Sequence, residues 1–259
     1  VAMLTTERVA VLTRSSPGLE KTARQLVNYG IHSILLPLTQ TVSVDDESQN
    51  SWIRNESEIQ GVCLTSVTAA RLFKAWLHKH SALFPSLPAC YCIGQTTWKT
   101  ALDCGLVAYW RENIHTGYQL AEWLDKLTSP SKGIWLYPCA RQTAGTLERE
   151  CERRGIRLAK LVLYETVPRI PNKAELQEIA RFHRPVWVFH SPSAVKVYIN
   201  HVQPLLKQWQ MEEIQAVAIG TTTADAIRKT GIQLAAIASE PNDESLVSAI
   251  GSVQDLNSS

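Results

Sequence analysis

One short pattern occurs twice in this chain, and the interval between its copies runs through everything else. Ala218-Ile219-Gly220-Thr221-Thr222-Thr223-Ala224 leads on to Gly231, and Cys92-Ile93-Gly94-Gln95-Thr96-Thr97-Trp98 leads on to Gly105, with 11 residues from glycine to glycine each time. An offset of 125 relates Gly30 to Gly155, Ser66 to Ser191, and Leu38-Thr39-Gln40-Thr41-Val42 to Leu163-Tyr164-Glu165-Thr166-Val167. One inserted residue before Gly220 makes the offset 126 there. Such a period means two copies of one unit of about half the chain, with 130–133 as the break between them.

Each copy of the pattern reads as strand, turn, capped helix, stop. Gly220 permits a turn that a β-carbon hinders, and the threonine hydroxyls are placed to cap first-turn N–H groups or to face a ligand. A helix N-terminus left open is a place for an anion. Around the two patterns, apolar runs at 9–13, 31–36, 62–65, 90–93, 134–137, 156–161, 186–190 and 233–238 read as strands. Helical patterns fall at 18–29, 69–80, 117–127, 143–154, 173–182, 194–202 and 244–250, with a short helix near Trp52. Pro138-Cys139-Ala140-Arg141 reads as a turn and Pro204 as part of a loop. Strands apolar throughout, joined by helical crossovers, define an α/β protein with parallel sheets. Ligands of such sheets bind off the carboxyl ends of the strands. Ser66, Thr97, Ser191 and Thr223 all follow strands directly, so the serine and threonine of each copy are expected to be near neighbours.

The composition excludes several classes. A chain of 259 residues that is 45% hydrophobic and 19% charged is long enough for two ordered domains. A net charge of +2, with no basic run beyond Arg153-Arg154, gives no nucleic-acid surface. No apolar stretch approaches the ~20 residues of a membrane span, and no signal-peptide core follows Glu7 and Arg8, so a cytoplasmic protein is expected. The 6 cysteines show no C-x-x-C pair, and Cys63, Cys90 and Cys92 lie in apolar runs as buried, reduced thiols do.

Strong acid–base or nucleotide motifs are missing. There is no G-x-G-x-x-G and no G-x-x-x-x-G-K-[ST]. The 7 histidines have no metal spacing, and His190, at a strand end beside Ser191, reads as a satisfied structural histidine. Ser191 lacks the glycines of a nucleophile elbow. Arg14 and Arg141, in the first turn of each copy, read equally as carboxylate receivers and as surface arginines. Tyr164 stands in the extended segment between units as a phenol able to donate a proton without being charged, or as a core residue.

Assembled in order, Leu12-Thr13-Arg14, Leu64-Thr65-Ser66, Ile93-Gly94-x-x-Thr97, Leu163-Tyr164-Glu165-Thr166, Ser191-Pro192-Ser193 and Ala218-Ile219-Gly220-x-Thr222-Thr223-Ala224 resemble the uroporphyrinogen-III synthase family over essentially the whole chain. The resemblance implies two doubly wound parallel-sheet domains, one formed by 1–36 with 170–259 and the other by 45–161, joined by a two-stranded antiparallel linker of 37–44 and 162–169. It further implies a monomer with a flexible cleft between the domains. The substrate would be hydroxymethylbilane, closed to uroporphyrinogen III with loss of water and inversion of ring D, with no cofactor. On this resemblance Tyr164 would protonate the leaving hydroxyl. Arg14, Thr65, Ser66, Thr97, Arg141, Ser191, Ser193, Thr222 and Thr223 would line the cleft and bind substrate, with Thr97 and Thr223 looking at each other across it. The chain departs from the family pattern at His190, at Trp98 and in the turn from Pro138 to Gly145. The other reading these residues allow is a cytosolic two-domain binding or sensor protein for an anionic small molecule, a catalytically silent paralogue.

Overall fold

The computed structural model describes residues 8–14, 19–45, 59–83, 86–128, 133–209 and 214–253. The chain begins with β1 (Val9–Leu12), α1 (Leu19–Val27) and β2 (His32–Leu35), then passes through β3 (Thr39–Ser43). There follow β4 (Ile59–Leu64), α2 (Val67–Lys79), a 3₁₀ turn (Ser81–Leu83), β5 (Cys90–Cys92), α3 (Gln95–Asp103), β6 (Ala108–Tyr109) and α4 (Gly117–Leu127). Next come β7 (Ile134–Ala140), α5 (Thr146–Arg153), the long β8 (Leu158–Pro168), α6 (Lys173–Ile179) and β9 (Val186–Phe189). The last elements are α7 (Pro192–Val197), a π-helical turn (Tyr198–Val202), α8 (Gln203–Gln208), β10 (Gln215–Ala218), α9 (Thr221–Arg228), β11 (Gln233–Ile237) and α10 (Asp243–Gly251).

The chain divides into two compact units, 1–40 with 167–259 and 41–166. In the first, the strand order is β11-β10-β9-β1-β2, every neighbouring pair parallel. In the second, β6-β5-β4-β7-β8 is likewise parallel throughout. β3 lies beyond β8 and runs antiparallel to it. Val44 N–H donates to the Leu163 carbonyl at 2.8 Å and Arg169 N–H to the Leu38 carbonyl at 2.9 Å, so numbers rise along one strand as they fall along the other. This is the expected α/β class, with an antiparallel ladder where the chain passes between units.

Strands related by the offset of 125 to 126 occupy matching places: β1 with β7, β2 with β8, β4 with β9, β5 with β10. Each unit nevertheless takes its β-α-β end piece from one half of the sequence and the rest of its sheet from the other. The repeat in sequence is therefore not the unit in space.

Both sheets are buried on two faces, which is why their strands carry no polar alternation. Along β1, Val9 and Val11 pack with Trp187, Phe189 and Tyr198, whereas Ala10 and Leu12 pack with Leu26, Val188 and Leu246 on the opposite face. In the second unit Val62, Leu64 and Leu136 join Phe73 and Trp76 on one side, and Cys63, Trp135 and Tyr137 join Leu120 and Leu124 on the other. All 6 cysteines are free thiols, and Cys90 and Cys92 share one face as their spacing requires.

Several local expectations need correcting. Pro138 does not end its strand: β7 runs on to Ala140, because its ladder to β4 stops at Leu136 while that to β8 continues, leaving no donor to be missed on one side. Pro204 begins α8 rather than interrupting a loop, since a first-turn position needs no N–H. Residues 143–145 stay outside α5, whose N-cap is Gly145 in the left-handed region. α6 ends at Ile179, three residues short of the run read from sequence. Gly220 is fully extended, with open space where a β-carbon would stand, so its turn does not require glycine; Gly94, at φ 75°, does. The short helix near Trp52, the start of the helix at Gly18 and residues 130–132 of the expected break lie outside the described residues.

Candidate functional site

A parallel sheet wound in both directions opens a crevice where the winding reverses, at the carboxyl ends of the two strands concerned. Each unit has one such point, between β1 and β9 in the first and between β7 and β4 in the second. A cavity sits at each.

The second unit's cavity measures about 300 Å³ and is lined by Thr65, Tyr137, Thr143, Glu148 and Tyr164 among others. Ser66 caps α2, its Oγ accepting the Ala69 N–H at 3.0 Å, and the same oxygen lies 3.1 Å from the Tyr164 hydroxyl. Next to it Thr65 Oγ1 makes a longer contact of 3.4 Å with the Tyr137 hydroxyl. Burial pushes the Tyr137 phenol up to about 12, against the lowering effect of Thr65, so it stays protonated. Gly117 and Leu147 also line the cavity, and a β-carbon on Gly117 would stand 2.8 Å from the Leu147 amide nitrogen, so α4 and α5 begin against each other. Their N-termini bring partial positive charge to one spot. Glu148 answers it, accepting from Thr143 Oγ1 and pairing with Lys160 at 3.5 Å, while its Oε2 is buried with no donor among the described residues.

The first unit's cavity, about 410 Å³, is lined by Thr13, Arg14, Thr39, His190, Ser191, Ile219, Pro241 and Asp243. Ser191 caps α7 through the Ala194 N–H, as Ser66 caps α2 at the equivalent position. Its Oγ meets Ser193 Oγ at 2.9 Å instead of a phenol. Arg14 approaches Asp243 no closer than 3.7 Å. His190, expected as a satisfied structural histidine, has both ring nitrogens buried; the Val188 carbonyl acts on the ring, but neither nitrogen meets a partner at hydrogen-bonding geometry among the described residues. Burial, and then the neighbouring Arg14 charge, depress it from 6.5 to about 4, against the raising effect of the Val188 carbonyl.

The structure thus gathers Thr65, Ser66 and Tyr164 in one place and Arg14 and Ser191 in another. Thr97 and Thr223 are buried on the inner sides of α3 and α9, and Thr222 is exposed on the groove between α7 and α9. Neither α3 nor α9 has a side-chain cap, so the hydroxyls do not occupy their own first-turn N–H groups. Arg141 is exposed and tied to Glu165 at 2.9 Å, outside the cavity lining. Sequence reasoning passed over Tyr137, Glu148 and Asp243. Only Tyr137 had a signal, as a polar-tipped residue closing an apolar run 125 positions after Leu12. Among the described residues no group of histidine, cysteine or carboxylate side chains could hold a metal ion, and no helix is long and apolar enough to cross a membrane.

Fold and site define a two-unit α/β protein whose polar chemistry lies at the two winding reversals and rests on hydroxyls, phenols and an arginine. The family model described as "Uroporphyrinogen-III synthase HemD" matches residues 20–248. The chain belongs to the uroporphyrinogen-III synthase family. Among solved structures it is similar to uroporphyrinogen-III synthetase from Helicobacter pylori, at 19% identity and TM-score 0.66, covering 95% of this chain and 100% of that one. It is also similar to a mutant uroporphyrinogen III synthase from the extremely thermophilic bacterium Thermus thermophilus, at 17% identity and TM-score 0.53, covering 93% of this chain and 96% of that one. At these identities the structures speak for the fold, and the family match carries the function.

Proposed function

We propose that the chain is an active cyclising lyase that closes hydroxymethylbilane to uroporphyrinogen III, without a cofactor, and that Tyr164 is its proton donor. The observation that carries this is the Tyr164–Ser66 contact of 3.1 Å beside a cavity at a winding reversal. Ser66 Oγ already accepts the Ala69 N–H, so its own proton is available to the phenol oxygen. With Ser66 donating, the Tyr164 proton is free to pass to the substrate hydroxyl, which leaves as water. The phenolate so formed is held by Ser66 at the N-terminus of α2. The bilane becomes an azafulvene, closes through a spiro-pyrrolenine, and returns one proton at the end. The reactive intermediate closes by itself to the wrong isomer, so the protein's larger task is to hold a flexible polyanion in one conformer. Backbone N–H groups at the starts of α2, α4 and α5 suit its carboxylates.

The test is product identity. The protein is incubated with freshly generated hydroxymethylbilane and the uroporphyrin isomers are resolved after oxidation. Isomer III is expected; isomer I alone would leave the silent binding or sensor protein as the reading.

A further inference from the structure

The proton-transfer scheme leaves the first unit's cavity without a task, yet that cavity holds a group in an unusual condition. His190 directly follows β9, with both ring nitrogens buried and neither at hydrogen-bonding geometry to a partner among the described residues. The Val188 carbonyl, the backbone group that acts on the imidazole, also accepts from Thr13 Oγ1 at 2.7 Å and from the Thr13 backbone N–H at 3.3 Å, and it reaches neither ring nitrogen at hydrogen-bonding geometry. The Ser191 hydroxyl is engaged by Ala194 and Ser193. A neutral imidazole carries one donor and one acceptor, and leaving both unmet in the interior lowers stability. Beside it the Arg14 side chain is 46% exposed and makes a long ion pair of 3.7 Å with Asp243. The protein thus carries a buried imidazole and a half-exposed, loosely paired cation at one cavity of about 410 Å³.

Thr65, 125 positions earlier, is the counterpart of His190 and meets a tyrosine in the other unit's cavity. Equivalent places in the two sheets are therefore furnished differently, with phenols and hydroxyls in one and an imidazole and a guanidinium in the other. We infer that the first unit's cavity receives one carboxylate of the substrate, with the His190 N–H and the Arg14 guanidinium as its donors, making His190 a specificity-determining residue. This rests on the proposed reaction for the identity of the ligand. The charged groups bordering the cavity are Arg14 from the end of β1 and Asp243 from the start of α10; Thr39, Ser191 and Pro241 are uncharged. Burial and the Arg14 charge keep His190 neutral at physiological pH. A carboxylate entering offsets the Arg14 field and favours the imidazolium, so binding takes up a proton and tightens as pH falls from neutral.

Two substitutions and one spectroscopic titration test this. In His190→Leu, KM for hydroxymethylbilane is expected to rise about tenfold with kcat within about twofold, because one donor is lost from ground and transition states alike. The melting temperature is expected to stay or rise, since an unpaired polar group has been removed. In His190→Gln, which keeps a donor, KM is expected within about threefold of the parent. The His190 imidazole signal, assigned by its loss in the variants, should titrate at higher pH when uroporphyrinogen III is added under argon in the dark. An unmoved titration, or an unchanged KM in His190→Leu, overturns the inference while isomer III formation leaves the cyclase reading standing. A lower melting temperature with equal losses in kcat and KM makes His190 structural and also overturns it. If the parent forms only isomer I, the cyclase reading falls, and the imidazole titration with uroporphyrinogen III decides the subsite by itself. Should His190→Leu not fold, His190→Gln serves to assign the signal and the titration decides.

Discussion

Ser66 and Ser191 are the same residue in two copies of one pattern, and the structure gives them the same cap but different second partners. That makes Ser66→Ala and Ser191→Ala a matched pair. Each removes an N-cap hydrogen bond, to Ala69 N–H or Ala194 N–H, which costs about 1 kcal/mol of stability and on the order of 4 °C in melting temperature. Only Ser66→Ala also removes a donor from the Tyr164 oxygen, whose contact is 3.1 Å. A hydrogen bond to an oxygen becoming charged contributes about 1.5–3 kcal/mol, so kcat/KM should fall about 10- to 150-fold on top of the stability loss. Ser191→Ala, whose second partner is Ser193, should keep kcat/KM within roughly threefold. Tyr164→Phe should lose about 100-fold or more while the fold survives, and in the Ser66→Ala/Tyr164→Phe double variant the two losses should not add, since both act on one proton. The measurements are thermal melts and initial rates with hydroxymethylbilane, each product resolved by isomer. Equal rates for the two serine variants, or a Tyr164→Phe enzyme as fast as the parent, would refute the assignment of the proton to this pair.

The remaining predictions are independent of it. Gly94→Ser should destabilise by about 1–3 kcal/mol, because φ 75° with an extended ψ is glycine's region, whereas Gly220→Ser should be neutral or stabilising by a few tenths, since it adds a cap to an extended position; urea melts compare them. Burial pushes the Cys92 and Cys139 thiols up to about 12 and Cys151 to about 11, so at pH 8 they are protonated and unreactive. Ellman's reagent should then find about one thiol in the native protein, the partly exposed Cys104, and all 6 in guanidinium. His190, at about 4 folded against 6.5 unfolded, binds fewer protons in the native state. It therefore carries no linkage penalty above pH ~6.5 and lowers stability increasingly as pH falls toward 4, by on the order of 3 kcal/mol in full. Denaturation series across that range should show a shallower acid slope in His190→Leu, and parallel slopes would contradict the assignment.

The α/β class was legible because two-face burial removes polar alternation from the strands, and the sequence shows apolar runs such as 9–12 and 186–189 with nothing between them but helical crossovers. The candidate residues were legible in part because strand ends announce themselves: Thr65, Ser66 and Ser191 follow apolar runs, and a residue after a parallel strand must lie at the ligand-binding edge. Local chemistry misled where a residue has two uses. Pro138 continues a strand because its second neighbour ends first, Pro204 opens a helix, and Gly220 holds an extended position that any residue could take. Those outcomes depend on the neighbouring strand or turn, which a window of sequence does not contain.

The 125-residue period by itself determined that two like sheets would be built from like pieces. It could not determine how the pieces are shared, since a repeat is equally satisfied by two consecutive units or by two that exchange their ends. The long β8 and its antiparallel partner β3 carry the chain from one unit into the other, so that Thr13 meets His190 and Tyr137 meets Thr65 across the winding reversals. The same geometry decided the chemistry of equivalent positions. Ser66 acquired a phenol because β8 brings Tyr164 to it, and His190 shares the Val188 carbonyl with Thr13, which holds it at close range from Oγ1. Side-chain identity is written along the chain, but a hydrogen-bond partner is supplied from more than 90 residues away, and only folding brings the two together.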